Sequence, residues 1–280
     1  MRLAIVGFGL IGGSVALAAR ARGVASRVVA VDRPEVTSHP AALDAADEVV
    51  DAADEVSRRR VLAESDLVIV ATPVGAIEAI IGEVLEVAPV ATDCGSTKRA
   101  ILAAASRSAR RGRFVPGHPM AGLPEGGIER ASKDLFEGRP WLLCTEQSDA
   151  GAIARVEQLI SGVGARVVRL TADEHDRAVA MTSHLPQLLA SALAVLAERQ
   201  HADIAAGPGF QSATRVAGGG EAMWHDILAT NADEVSLALD ALSAELDDIA
   251  RALRHKPPDL GPALRLLERA RSVRMRSRRP

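Results

Sequence analysis

Over the first 170 positions, short apolar runs alternate with longer stretches whose apolar residues recur at helical spacing. Runs at 2–6, 66–71, 89–93, 114–115, 141–144 and 166–170, with a further one ending at Asp32, read as strands. Asp66-Leu67-Val68-Ile69-Val70-Ala71 is apolar almost throughout, as a parallel strand buried on both faces must be. Helical patterns follow Gly12, Pro73 (through about Ala88), Lys98 and Asp149 (149–163), with a short helix and a short strand in 40–56. The glycine-dotted stretch 123–139 reads as a loop with one helical turn. Strand and helix in alternation predict an α/β domain over residues 1–170, built on one doubly wound parallel sheet.

From 172 the pattern changes. No strand follows; alanine and leucine at three- and four-residue spacings predict helices over 173–199, interrupted at Pro186, over 221–253 and over 260–271. This predicts an all-α domain over 171–280 whose helices pack on one another and, across a two-fold axis, on a second copy. The basic stretch from Arg271 to the end predicts a solvated tail, frayed from about residue 272.

Composition narrows the class. Hydrophobic residues at 48% and charged residues at 25% are those of an ordinary globular protein. A net charge of −3 gives no footprint for nucleic acid. No run approaches the roughly twenty apolar residues of a membrane span, and the N-terminus reads as a strand rather than a signal peptide. Cys94 and Cys144 form neither a disulfide framework nor a zinc-type spacing, and no metal site is expected. A reducing cytoplasm fits this composition.

The first strand runs into Gly7-Phe8-Gly9-Leu10-Ile11-Gly12-Gly13-Ser14, a G-x-G-x-x-G between a strand and a helix. Gly7 permits the tight turn, Gly9 admits a pyrophosphate to the backbone, and Gly12 lets the helix lie close on the sheet. The free N–H groups of Leu10 and Ile11 then face the phosphates. Asp32, at the end of the second strand, is placed to accept hydrogen bonds from ribose hydroxyls and would repel a 2′-phosphate. A Rossmann-like domain binding NAD is expected, with Arg33 keeping NADP open. Thr72-Pro73 and Cys94-Gly95-Ser96-Thr97-Lys98 end further strands on the same edge, where ligands of open α/β sheets collect.

A dehydrogenase also needs a base. His118 ends a strand within Gly117-His118-Pro119-Met120-Ala121-Gly122, and imidazole titrates near neutrality; a histidine capping a turn would look the same. The Ser96 hydroxyl is positioned to meet a substrate hydroxyl, the His118 ring, or a helix N-terminus as its cap. In the helical half, Ser183-His184-Leu185-Pro186-Gln187 has a proline that frees a backbone carbonyl, for a ligand or for a simple kink. Arg215 lies in the polar link Gly209-Phe210-Gln211-Ser212-Ala213-Thr214-Arg215, as a carboxylate clasp or a surface charge.

Taken in series, these segments resemble the prephenate and arogenate dehydrogenases of tyrosine biosynthesis. The resemblance rests on the glycine loop, Asp93-Cys94-Gly95-Ser96-Thr97-Lys98, Gly117-His118-Pro119-Met120-Ala121-Gly122, Asp134-Leu135-Phe136-Glu137-Gly138-Arg139, Glu174-His175-Asp176, Ser183-His184-Leu185-Pro186 and Thr214-Arg215-Val216-Ala217, over about residues 4–230. It implies NAD-dependent oxidative decarboxylation of prephenate to 4-hydroxyphenylpyruvate, with arogenate or a 4-amino analogue as alternative substrates. By that resemblance His118 is the base, with Ser96 orienting it and the substrate hydroxyl. Arg215, His184, Gln211 and Thr214 bind substrate; Gly7, Gly9, Leu10, Ile11, Gly12, Asp32, Arg33, Thr72 and Pro73 hold the cofactor. The resemblance leaves His175 without a defined role. Gln211 stands where some relatives carry a basic residue, and at 280 residues no appended regulatory or mutase domain is expected. A hydroxyacid or imine dehydrogenase would place a lysine or aspartate on the interdomain helix, and 173–199 holds no lysine. A non-catalytic NAD-binding regulator would carry a helix-turn-helix pattern, and none is found.

Overall fold

The computed structural model describes residues 1–123, 126–218 and 220–276. Its main sheet has strands β1 (Arg2–Val6), β2 (Arg27–Asp32), β3 (Glu48–Asp51), β4 (Leu67–Val70), β5 (Ala91–Asp93) and β6 (Phe114–Val115), in the order β3-β2-β1-β4-β5-β6 and parallel throughout. Between them run α1 (Leu10–Ala21), α2 (Pro34–Thr37), α3 (Pro40–Ala45), α4 (Glu55–Glu64), α5 (Val74–Val87) and α6 (Arg99–Ala105). This is the doubly wound order, with its switch point between β1 and β4. Val6 is paired with Val31 on one side and Val70 on the other, and Val70 with Asp93. Gly7, Asp32, Ala71 and Cys94 therefore leave the sheet side by side.

Alternate strand residues feed two cores. Leu3, Ile5, Val28, Ala30, Leu67 and Ile69 pack with α1; Ala4, Val6, Val29, Val31, Val68 and Val70 pack with α4, α5 and α6. Each fully buried aliphatic side chain contributes about 1.5–3 kcal/mol. The double burial explains the unbroken apolar runs.

The expected single sheet stops at β6. Pro116 has no N–H to continue the ladder, and the chain crosses to a second sheet of β7 (Gly117–Pro119), β8 (Pro140–Cys144) and β9 (Arg166–Leu170). There β7 pairs antiparallel with β8, and β8 parallel with β9. Trp141 and Leu143 of β8 and Val156, Leu159 and Ile160 of α7 (Ala150–Gly162) join the first core.

Thr171 and Glu174 form a capping box that starts the helical half. The predicted helix over 173–199 is three pieces: α8 (Ala172–Val179), a π-helical turn at Ala180–His184, and α9 (Leu185–Arg199). The Leu185 N–H donates to Ala180 O, five residues back, so the ladder is already loosened where Pro186 cannot donate. Over Ala172–Arg199 one 18-residue window reaches a mean hydropathy of 1.4. By length and composition this corrects the expectation that no apolar run reaches spanning length. The same helix buries His175, Asp176 and His184 inside the protein.

Then follow α10 (Pro208–Thr214), α11 (Glu221–Thr230), α12 (Ala232–Leu253) and α13 (Gly261–Arg276). The predicted helix over 221–253 breaks at Asn231, which is buried and donates its side-chain amide to Asp176 O at 2.8 Å. The chain forms two compact units, Met1–Asn231 and Ala232–Pro280. In the second, α12 packs on α13. The stretch expected to fray from 272 is helical to Arg276, with Arg274 and Arg276 in the last turn suited to a helix C-terminus; residues 277–280 lie outside the described residues.

Gly7 has φ +90°, and a Cβ on Gly12 would stand 2.0 Å from Gly7 O, whereas one on Gly9 meets nothing within 4 Å. Gly12→Ala is expected to lower stability by about 1–3 kcal/mol or more, as overpacking does, and Gly9→Ala by much less. Denaturant unfolding of the two variants checks this; equal stabilities would contradict it.

Candidate active site

A cleft of about 680 Å³ opens at the carboxyl ends of β1, β2 and β4, lined among others by Gly7, Gly9, Asp32, Arg33, Thr72 and Pro73. Asp32 accepts hydrogen bonds from Phe8 N at 2.6 Å and Arg33 N at 2.7 Å, which fix its carboxylate while one face stays open. Arg33 is mostly exposed. Leu10 is buried and Ile11 packs on the core, so these two contribute backbone rather than side chains. The first helical bond is Gly13 N to Gly9 O, and no side chain caps α1, which leaves its first-turn N–H groups for a ligand. Thr72 Oγ1 is buried without a hydrogen-bond partner among the described residues. Open amides, a spare hydroxyl and a fixed carboxylate fit a dinucleotide.

Beyond β5, a second set of polar groups is buried. Asp93 accepts from Gly95 N at 2.8 Å and Gly117 N at 3.0 Å, and pairs with Lys98, whose ammonium also donates to Gly117 O at 2.8 Å. Asp93 and Lys98, both fully buried, thus clamp the backbone next to His118. His118 Nδ1 lies 2.9 Å from His175 Nε2, and His175 Nδ1 lies 2.7 Å from Asp176 Oδ1. Asp176 further accepts from Lys98 N at 2.7 Å, Arg99 N at 2.9 Å and Arg99 Nε at 3.3 Å. Two more links join the helical half to the sheet edge: Thr97 Oγ1 to Thr230 Oγ1 at 2.8 Å, and Gly75 N to Asp226 Oδ2 at 3.3 Å.

Burial, helped by the neighbouring His175 and Lys98, holds His118 well below the ordinary imidazole range. Burial also lowers His175, outweighing its hydrogen bond to Asp176. Burial, helped by His175 and opposed by the Asp176 charge, pushes His184 down to about 4. For Asp176 burial acts upward, but the bonds from His175, Arg99 and Lys98 win and hold the carboxyl low. At neutral pH the site therefore presents neutral imidazoles around one carboxylate.

The other expected residues are less concentrated. Ser96 is half-buried and makes no hydrogen bond to His118; His175 meets Nδ1 of that ring instead. Neither does Ser96 cap α6, whose N-cap is Lys98. His184 is buried, 3.3 Å from the Asn231 amide and edge-on to Trp224 at 6.0 Å between centroids. Trp224 Nε1 is buried without a partner among the described residues. Gln211 and Arg215 are exposed, and Thr214 Oγ1 donates to Phe210 O within α10; His118 has its hydrogen bond with His175 instead. Sequence reasoning missed Asp93, Lys98, Asp176, Asn231 and Trp224 as parts of the site. The first three stood inside quoted motifs, as charges that proved buried; Asn231 and Trp224 gave no signal.

A Rossmann-type domain joined to a helical half, with a half-buried histidine on the strand that follows the sheet's last ligand-edge loop, defines the class of dinucleotide-dependent oxidoreductases. Residues 15–169 match the family "Prephenate dehydrogenase, nucleotide-binding domain" and residues 171–267 match "Prephenate dehydrogenase, dimerization domain". The chain is 31% identical to the prephenate dehydrogenase of Bacillus subtilis over 88% of this chain and 68% of that one. To the cyclohexadienyl dehydrogenase of Zymomonas mobilis it is 30% identical over 92% of this chain and 90% of that one. Prephenate dehydrogenase from Aquifex aeolicus, solved with hydroxyphenyl propionate and NAD⁺, superposes with a TM-score of 0.88 at 26% identity, over 99% of this chain and 98% of that one. The chain belongs to the prephenate dehydrogenase family of NAD-dependent oxidoreductases.

The low-lying histidines make stability depend on pH with a definite sign. Above about 6.5, the ordinary imidazole value, they are neutral folded and unfolded alike. Below it the unfolded chain takes up protons that the folded one refuses, so stability falls with pH; for His184 the window extends down to about 4. Asp176 adds a loss at still lower pH, as its unfolded carboxyl protonates. Thermal unfolding should show Tm falling steadily from pH 7 to pH 5, and a flat or rising Tm would contradict the burial.

Proposed function

We propose that the protein is a prephenate dehydrogenase, converting prephenate and NAD⁺ to 4-hydroxyphenylpyruvate, carbon dioxide and NADH. The observation that carries this is the His118–His175–Asp176 chain beside the sheet's ligand edge, half-buried at His118 and fully buried at His175 and Asp176. Gly7, Gly9, Gly12, the first-turn amides of Leu10 and Ile11, Asp32, Arg33, Thr72 and Pro73 would hold the cofactor, with Asp32 favouring the unphosphorylated form. When bound, NAD⁺ supplies the hydride acceptor. His118, neutral at working pH, takes the proton of the ring hydroxyl as that carbon is oxidised to a carbonyl. The C–CO₂ bond then breaks, its electron pair passes through the ring to that oxygen, and His118 returns the proton to the phenolate. Aromatisation drives the sequence, so the protein's part is positioning and proton handling.

Ser96, with no hydrogen bond to His118, is free to orient the substrate hydroxyl. Arg215, exposed and without an ion pair among the described residues, would take a substrate carboxylate bidentately. His184 would face the substrate from the helical side, and Gln211 and Thr214 stand on the helix that leads to Arg215. Cys94 and Cys144 are free thiols, in keeping with a reducing cytoplasm.

The protein is proposed to act as a homodimer through its helical half. Leu189, Leu193 and Leu196 lie along one exposed face of α9, and Leu239, Leu246 and Leu253 fall seven apart along α12. Apolar faces of this kind mark surfaces that a second chain covers. Light scattering behind a sizing column should give a dimer for the natural chain and a monomer for Leu193→Glu/Leu196→Glu; the same mass for both would remove α9 from the interface.

Incubation with NAD⁺ and prephenate, arogenate or neither tests the reaction through the absorbance of reduced cofactor. Turnover is expected with prephenate; turnover with arogenate alone would reassign the substrate, and none with either would end the proposal. His118→Asn should lower kcat by about 10²–10⁴-fold, the contribution of a general base; unchanged turnover would remove His118 from that part.

A further inference from the structure

His175 is fully buried, and nothing in the proposed reaction requires it to touch substrate. We propose that His175 and Asp176 are positioning residues that fix the tautomer of His118, placing its proton on Nδ1 and its only lone pair on Nε2. This rests on the reading of His118 as the base.

The assignment runs outward from Asp176. Its two carboxylate oxygens receive Lys98 N, Arg99 N and Arg99 Nε, all donors, so the group is held as an acceptor-only carboxylate. The 2.7 Å contact with His175 Nδ1 then requires the proton to sit on that nitrogen. A neutral His175 keeps its lone pair on Nε2, and this faces His118 Nδ1 at 2.9 Å. Two lone pairs cannot face each other at that distance, so His118 Nδ1 carries a proton and Nε2 is left as the acceptor. The charged and titratable groups around the pair are Lys98 and His184 at His118, and Lys98, Asp93 and Asp176 at His175. Burial, with Lys98 opposing a second positive charge, keeps His175 neutral. A histidine side chain free in water prefers the opposite tautomer, with its proton on Nε2. Without the two neighbours the lone pair of His118 would turn toward the protein interior. Once His118 accepts a proton, the same chain carries its cationic Nδ1–H toward the Asp176 charge.

The test is a two-bond ¹H–¹⁵N spectrum of the full chain with ¹⁵N-labelled histidines, with His118 assigned by the signal lost in His118→Asn. The expected spectrum shows His118 protonated at Nδ1 and bare at Nε2. In Asp176→Asn and His175→Phe the ring should change tautomer. In the same variants kcat should fall at least about 10-fold, approaching the roughly 10⁴-fold loss of a triad histidine in the wrong tautomer, with KM nearly unchanged. A natural-chain His118 protonated at Nε2, or variants that keep both tautomer and kcat, would overturn the inference. Where neither variant folds, the natural-chain spectrum decides alone. A natural chain inactive on both acids but showing the Nδ1–H tautomer would instead defeat the proposed function.

Discussion

One buried carboxylate organises the catalytic half of this molecule. Asp176 sits at zero exposure near the start of a helix and collects donors from the N-terminus of α6 and from the His175 ring. Burying a charge costs several kcal/mol unless it is paired and hydrogen-bonded. The site meets that cost with four donors, and the same bonds tie α8 to the carboxyl end of β5. The ion that steers the imidazoles is thus also the bolt between the sheet edge and the helical elements. Asn231 continues the arrangement, with its amide on Asp176 O and its carbonyl oxygen receiving Arg99 Nη2 at 2.9 Å.

The second constraint is register. Because β1 is paired with β2 and β4 at the same level, the glycine turn, Asp32 and the Thr72-Pro73 corner surface together. The cleft they line is a consequence of strand pairing and of Gly7 and Gly12, whose close contacts leave no space for a side chain. Asp93 ends β5 one strand further on and, through Lys98, holds the backbone beside His118. The glycine cleft and His118, the proposed base, therefore hang from neighbouring strand ends, held there by strand pairing and by the buried Asp93 and Lys98.

Much of this was legible in the chain, and the reason is locality. A strand, a glycine turn and a helix follow one another, so Gly7, Gly9, Gly12 and Asp32 announce their geometry within about thirty residues. His118 could be singled out because a strand delivers it between Gly117 and Pro119. The His118–His175 contact spans 57 positions, and no periodicity reports a pairing across that distance. Glu174-His175-Asp176 has the polarity of a solvent-facing turn, yet His175 and Asp176 are wholly buried. Helical spacing runs unbroken through Asn231, so the break that lets its side chain reach α8 left no mark. Pro116 was visible, but whether a proline ends a sheet or merely its edge depends on the partner strands.

The claim at the centre is that the Nε2 of a neutral, half-buried His118 receives the substrate's hydroxyl proton while its Nδ1 faces His175. A crystal structure of the protein with NAD⁺ and a hydroxyphenyl product analogue tests it most directly. The account predicts the ring hydroxyl within hydrogen-bond reach of His118 Nε2, about 2.6–3.2 Å, with the His175 contact intact. A hydroxyl held by other groups, with His118 turned away from it, would contradict the account.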